Sequence, residues 1–268
     1  MFWKKEKREV VINHSIDGYT LSDTGCVRDH NEDAVQYKVL NKNQKVISIL
    51  ADGMGGHNGG EIASNMFVKV AGDILRENPP QKEKDISNAI TRGNAEVYKQ
   101  SLLHPEWKGM GTTCVILSII DNQVLWGHVG DSRLYLYHNG TLSQKTTDHT
   151  VVEEMKSQGL LPPANQGHVL TQAIGTKQEV DPATDTMKLE EGESYRFLLC
   201  SDGLYDMLSE YEIKSLLDIR DGYITASALI ALAKEKGGVD NVSVSIIDVT
   251  PLSPDSPELT TKEMKLPE

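Results

Sequence analysis

One nine-residue stretch constrains the fold of this chain more than any other: Asp52-Gly53-Met54-Gly55-Gly56-His57-Asn58-Gly59-Gly60. Regular structure cannot run through so many glycines, and the hydrophobic period differs on its two sides. Before it, residues 19–23, 34–40 and 45–51 are short, rich in β-branched or aromatic side chains, and read as strands. After it, Ile62, Ala63, Met66, Phe67, Val70, Ile74 and Leu75 fall on one helical face, which stops at Asn78-Pro79-Pro80. From Asp85 to about Leu103 the pattern repeats with Ile86, Ala89, Ile90 and Val97, so two helices follow in succession.

Strands return at 112–120, 123–129 and 133–138, with Asp121-Asn122 and Asn139-Gly140 where tight hairpin turns belong. Residues 148–175 carry a short helical pattern near 151–158, then Pro162-Pro163 and a polar stretch, which predicts a helix-containing flap outside the core. A strand at 195–200, helices at 209–217 and 224–236, and a last strand at 241–249 complete the pattern. Strands and helices are grouped and not alternating, so the class is α+β with largely antiparallel sheet. No repeat or break in composition divides residues 1–250, which are expected to form a single domain. Residues 251–268 hold four prolines and no periodic pattern, and are expected to be a disordered tail.

The chain carries 27 basic and 39 acidic residues, a net charge of −12, which disfavours nonspecific nucleic-acid binding. Its three cysteines, Cys26, Cys114 and Cys200, are odd in number and too far apart for a zinc knuckle, and read as thiols in a reducing compartment. The basic residues after Met1-Phe2-Trp3 are followed by no apolar segment of the signal-peptide kind. The longest apolar runs fall far short of the ~20 residues that span a bilayer. A soluble cytoplasmic protein, free of membrane and of nucleic acid, is the expectation.

The acidic residues recur at one kind of place. Asp52-Gly53, Asp131 after Gly130, and Asp202-Gly203 each follow a strand, while Asp33 and Asp240 each precede one. Gathered at one end of a sheet, such carboxylates would repel strongly unless a cation lay between them. Oxygen ligands without a Cys or His cluster point to Mg²⁺ or Mn²⁺ over zinc. Any single Asp-Gly is more often a turn. Spacing alone leaves both readings open for the set.

Six ordered motifs bear on that choice: Arg28-Asp29-His30-Asn31-Glu32-Asp33, Asp52-Gly53-Met54-Gly55-Gly56-His57, Gly109-Met110-Gly111-Thr112-Thr113, Gly130-Asp131-Ser132-Arg133, Cys200-Ser201-Asp202-Gly203 and Asp240-Asn241. Together they resemble the metal-dependent protein phosphatases of the protein phosphatase 2C type, in the bacterial branch, from about Gly18 to Val249. The resemblance implies a central antiparallel β-sandwich flanked by pairs of helices, a four-layer αββα arrangement, with a metal cluster at one end. It implies that Asp33, Asp52, Asp202 and Asp240, with the Gly53 carbonyl, hold two Mg²⁺ or Mn²⁺ ions, and that Asp131 with Asp202 holds a third. It makes Arg28 the phosphate-binding arginine; outside the motif, a surface ion pair with Asp29 or Glu32 is the plainer reading.

His57 has two readings, a proton donor to the leaving alkoxide through water and a loop histidine bonded to a strand end. Glu32 is expected as a hydrogen-bond acceptor beside the ligands. His149 and His168, in the flap, are expected to meet solvent or substrate, and Ser132 and Ser201 are no nucleophiles. The implied reaction is hydrolysis of phosphoserine and phosphothreonine on proteins by a metal-bridged hydroxide, with no phosphoenzyme. The implied partners are phosphoproteins, a bacterial Ser/Thr kinase or its substrates among them, met by a monomer. The alternatives are a catalytically weak phosphoprotein-binding module of the same fold and a metal-dependent phosphodiesterase.

Overall fold

Two-residue turns set the antiparallel pattern. Asp121 (φ 56°) and the pair Asn139 and Gly140 (φ 49° and 70°) take the left-handed conformations that such hairpin turns require. The structure, a computed structural model, describes residues 14–41, 45–55, 59–162 and 169–252. One sheet contains β1 (His14–Asp23), β7 (Arg133–His138), β8 (Thr141–Gln144), β10 (Tyr195–Cys200) and β11 (Val242–Pro251), in the order β1-β11-β10-β7-β8. The other contains β2 (Asp33–Asn41), β3 (Lys45–Met54), β5 (Cys114–Ile120), β6 (Gln123–Val129) and β9 (Ala183–Lys188), in the order β2-β3-β5-β6-β9. The short β4 (Gly111–Thr112) pairs with the end of β3. Every pairing is antiparallel.

The sheets pack face to face through Leu50, Leu117 and Trp126 of one and Phe197, Leu199 and Ile247 of the other. Helices α1 (Gly59–Glu77) and α2 (Glu83–Leu103) cover one outer face, where Phe67, Ala71 and Ile90 meet Ile49, Ile116 and Leu125. After the flap helix α3 (Val151–Ser157), α4 (Asp202–Tyr205), α5 (Glu210–Leu217) and α6 (Gly222–Glu235) cover the other, on Tyr135, Leu198 and Ile246. The four layers are those the resemblance implies. Because both faces of both sheets are covered, β5 and β10 are buried along their whole length and read as largely apolar runs, broken by Ser118 and Arg196.

The departures are local. β1 begins at His14, five residues before the expected strand, and β11 runs to Pro251, opposite His14 and into the expected tail. Residues 253–268 of that tail lie outside the described residues. The expected strand at 112–120 is two, because the chain between β4 and β5 turns Thr113 toward the end of β3, where its N–H meets the Asp52 carbonyl at 2.8 Å. β8 and β9 were not anticipated. Both lie at sheet edges and carry polar sequences, TLSQ and ATDTMK, with no fully buried position.

One buried cation ties the helical layer to its sheet. Arg196 on β10 pairs with Asp248 on β11 and donates to the carbonyls of Leu217, Ile219 and Arg220 and to the Thr225 hydroxyl. Replacing Arg196 by Met would leave Asp248 and those carbonyls without their donor in a nearly closed site. A loss of about 3–5 kcal/mol is expected, as for other broken buried pairs. Urea denaturation checks this; a variant as stable as the parent would show that the guanidinium contributes nothing.

Candidate metal centre

The strand ends carry the acidic residues to one rim of the sandwich. Asp33, first in β2, lies opposite Asp52 near the end of β3. Asp202 opens α4 directly after β10, Asp240 precedes β11, and Asp131 sits in the turn between β6 and β7. A pocket of about 460 Å³ opens there, and its wall includes Arg28, Asp52, Gly53, Asp131, Asp202 and Asp240. Asp33 is not in the wall but buried, at 7% exposure. The Ser201 hydroxyl donates to its Oδ2 at 2.8 Å, while its Oδ1 is buried with no hydrogen-bond partner.

Burial raises the Asp33 pKa to about 7; the Ser243 and Ser201 side chains oppose the shift, and the charges of Asp202 and Asp240 add to it. Asp52 is driven well above the ordinary carboxylate range, first by burial and then by the charges of Asp33, Asp202, Asp131 and Asp240. Asp52 therefore feels the charges of the other four expected carboxylates. Turn-capping alone does not account for them.

Uncharged groups hold this rim in place. The Thr113 hydroxyl accepts the Asp52 N–H at 3.0 Å and pairs with the Ser132 hydroxyl at 2.7 Å, and the Thr112 hydroxyl donates to the Asp52 carbonyl at 2.8 Å. The Asn241 amide donates to the carbonyls of Thr24 and His30 and accepts the Glu32 N–H, which fastens the loop carrying Arg28. Two glycines allow the close approach: a Cβ on Gly53 would stand 2.2 Å from the Gly60 carbonyl oxygen, and one on Gly203 would stand 2.1 Å from that of Asn241. The positioning roles of Thr113, Ser201 and Asn241 escape sequence reasoning, although all three lie within the motifs. Asp206, Thr113 and Leu170 also line the pocket without having been anticipated as part of its wall.

Among the other expected residues that are described, His149 stands elsewhere than expected. Arg28 is at the lip, half exposed, and its guanidinium bonds Asp240 at 2.7 Å, not Asp29 or Glu32. His149 faces neither solvent nor substrate freely. Its ring stacks on buried His128, centroids 4.6 Å apart, and its Nδ1 accepts the Gly130 N–H at 3.3 Å. His57 and His168 lie outside the described residues. Glu32 lines the pocket and bonds the Gly60 backbone at the start of α1; burial raises its pKa. Ser132 and Ser201 are fully buried in the scaffold, as their dismissal as nucleophiles requires.

The donor set suits a hard divalent cation. Among the described residues no three Asp, Glu, His or Cys side chains converge directly on one point. Mg²⁺ characteristically takes one or two carboxylates and keeps several waters, which a wide acidic pocket accommodates. The partnerless Oδ1 of Asp33 and the upward shifts of Asp33 and Asp52 are what added positive charge would relieve.

Comparison with known proteins agrees. Residues 27–227 match the family described as protein phosphatase 2C. The chain belongs to the protein phosphatase 2C family. It is 35% identical over 240 residues to the protein phosphatase PhpP of Streptococcus pneumoniae, covering 85% of this chain and 96% of that one. The crystal structure of the catalytic domain of serine/threonine protein phosphatase PstP, in complex with two manganese ions, superposes with a TM-score of 0.78 at 34% identity, covering 88% of this chain and 99% of that one. The serine/threonine phosphatase Stp1 from Staphylococcus aureus gives a TM-score of 0.79 at 30% identity, covering 92% and 100%. Each of these three relatives covers at least 85% of this chain.

The raised carboxylates set a pH dependence. An acid whose folded-state pKa is raised contributes stability at low pH that is lost as pH climbs from its unfolded value to its folded one. Chelator-treated protein is expected to lose melting temperature as pH rises from about 4, the unfolded Asp value, to about 7. Saturating Mg²⁺ is expected to remove much of that loss. Identical melting profiles with and without Mg²⁺ would contradict it.

Proposed function

We propose that this pocket hydrolyses phosphoserine and phosphothreonine on proteins. The enzyme is a metal-dependent protein serine/threonine phosphatase, as its family membership and its relatives' names support. The observation that carries the reading is the pocket that Asp52, Asp131, Asp202 and Asp240 line together with Arg28, with buried Asp33 opposite Asp52. In this reading Asp33, Asp52, Asp202 and Asp240, with the Gly53 carbonyl, hold two Mg²⁺ or Mn²⁺ ions, and Asp131 with Asp202 holds a third. Such cations supply positive charge for the phosphoryl oxygens and lower the pKa of bound water toward neutrality.

The remaining work falls to the chain. The acidic wall alone repels a phosphate dianion, so substrate enters only when that charge is balanced. Arg28 then exchanges Asp240 for phosphate, presenting a planar fork to two oxygens. The buried threonine hydroxyls fix the Asp52 backbone and the Ser201 hydroxyl fixes the Asp33 carboxylate, so little reorganisation remains for the reaction itself. His57 is the candidate proton donor to the leaving alkoxide. The partners in this reading are phosphoproteins, a Ser/Thr kinase or its targets, met by a monomeric catalytic domain of residues 1–250. The three free cysteines suit a reducing cytoplasm. Among the described residues no helix is long and apolar enough to cross a membrane.

A phosphothreonine peptide assayed with Mn²⁺ tests this directly. Turnover is expected to vanish with EDTA and to return on adding Mn²⁺ or Mg²⁺. Asp52→Asn and Asp202→Asn should fold and lose most turnover, and Arg28→Lys should lose about 10- to 100-fold in kcat/KM, the worth of one charge-assisted hydrogen bond. Full turnover in metal-free protein, or cleavage of a phosphodiester in preference to the phosphopeptide, would overturn the assignment.

A further inference from the structure

The flap contributes little of its own to the core: α3 has no buried residue. Its position therefore depends on its two legs. The outgoing leg is pinned by the bridge between Ile174 and Thr112, and by buried Asn94 on α2, which bonds the Gly175 N–H and the carbonyls of Lys177 and Gln178. Where the legs first come together, one residue bonds three ways, twice through its backbone. The His149 backbone N–H donates to the Gly130 carbonyl at 3.0 Å, and its ring Nδ1 accepts the Gly130 N–H at 3.3 Å. Its carbonyl accepts the Thr171 N–H of the outgoing leg at 2.9 Å. Beside it, Thr150 bridges to Leu170, which lines the catalytic pocket together with Asp131.

The ring itself is held. It stacks on His128, which is 3% exposed and bonds the Thr147 carbonyl through Nε2 at 2.8 Å. Because Nδ1 accepts, the His149 proton belongs on Nε2. Burial lowers the pKa of the ring, which suits the neutral form this contact needs. The peptide it grips belongs to Gly130, at φ 99°, the residue directly before Asp131. A glycine in that conformation has no side chain to restrict it, so what holds the Gly130 peptide helps to set the direction of the Asp131 carboxylate, alongside the Tyr205 hydroxyl, which donates to the Asp131 carbonyl at 3.0 Å.

We propose that His149 is a positioning residue: it fixes the Gly130 peptide so that Asp131 keeps its place in the pocket wall, and it fastens both flap legs to that same wall. This rests on the reading of Asp131 as a cation ligand, and the experiment separates the two. His149→Asn places Oδ1 where Nδ1 stood and keeps the acceptor. His149→Gln moves its amide toward the Nε2 position and leaves the Gly130 N–H without one.

Isothermal titration of the full chain with Mn²⁺ is compared for the parent, both His149 variants and Asp131→Ala, alongside kcat and KM on p-nitrophenyl phosphate and melting temperatures. The weakest binding event is expected to weaken about 10- to 100-fold in His149→Gln, as for lost partners of metal ligands elsewhere, and to disappear in Asp131→Ala. The tighter events stay unchanged in both, kcat falls with KM retained, and His149→Asn behaves as the parent. If Asp131→Ala loses the weak event while His149→Gln titrates as the parent, the positioning role is wrong. A uniform weakening of all events in both His149 variants, with a matching drop in melting temperature, would make His149 merely structural and also overturn it. If Asp131→Ala itself titrates as the parent, the reading of Asp131 fails and takes the inference with it.

Discussion

Carboxylates crowded at one rim repel each other, and much of the local structure around the pocket resists that repulsion. Asp33 and Asp52 face each other across two paired strands, so backbone hydrogen bonding holds them at a spacing their charges oppose. The rise in their proton affinity records the strain: burial penalises the charged form, and neighbouring charges add to the penalty. A rim built this way is stable either protonated or bound to cations. In the proposed reading, a preference for divalent cations follows from these electrostatics.

The support comes from groups with no charge to add. Thr112, Thr113 and Ser132 hold Asp52, Ser201 holds Asp33, and Asn241 holds the loop that brings Arg28 to the lip. Beneath them the two sheets interdigitate as a dry core, with helices on both outer faces. In the proposed reading, rigid strand ends carry the ligands and the loop bearing Arg28 meets the substrate. Arg28 is paired with Asp240, so in that reading the phosphate-binding group is stored on the acidic wall that it must leave.

The layers and the acidic residues were legible in the sequence because each leaves a local mark. The Asn139-Gly140 turn, the shift from strand to helical period across the glycine stretch, and aspartates against strand ends can all be read from neighbours in the chain. Other features cannot. Asn241 bonds Thr24 and His30, more than 200 residues away, and its adjacency to Asp240 hints at nothing of this. β9 reads ATDTMK because an edge strand has only partial cover, so its alternation is weak. His149 in a polar stretch looked like a solvent residue, since nothing nearby in sequence announces His128 beneath it.

The central claim is that the acidic rim binds the cations that the phosphatase uses. A crystal grown with Mn²⁺, with anomalous data collected at the manganese edge, measures this most directly. The account predicts two peaks within the pocket about 3.5–4 Å apart, and a further, weaker one against Asp131. A pocket empty of anomalous signal in crystals of enzyme that turns over phosphopeptide, or peaks placed only elsewhere on the molecule, would contradict it.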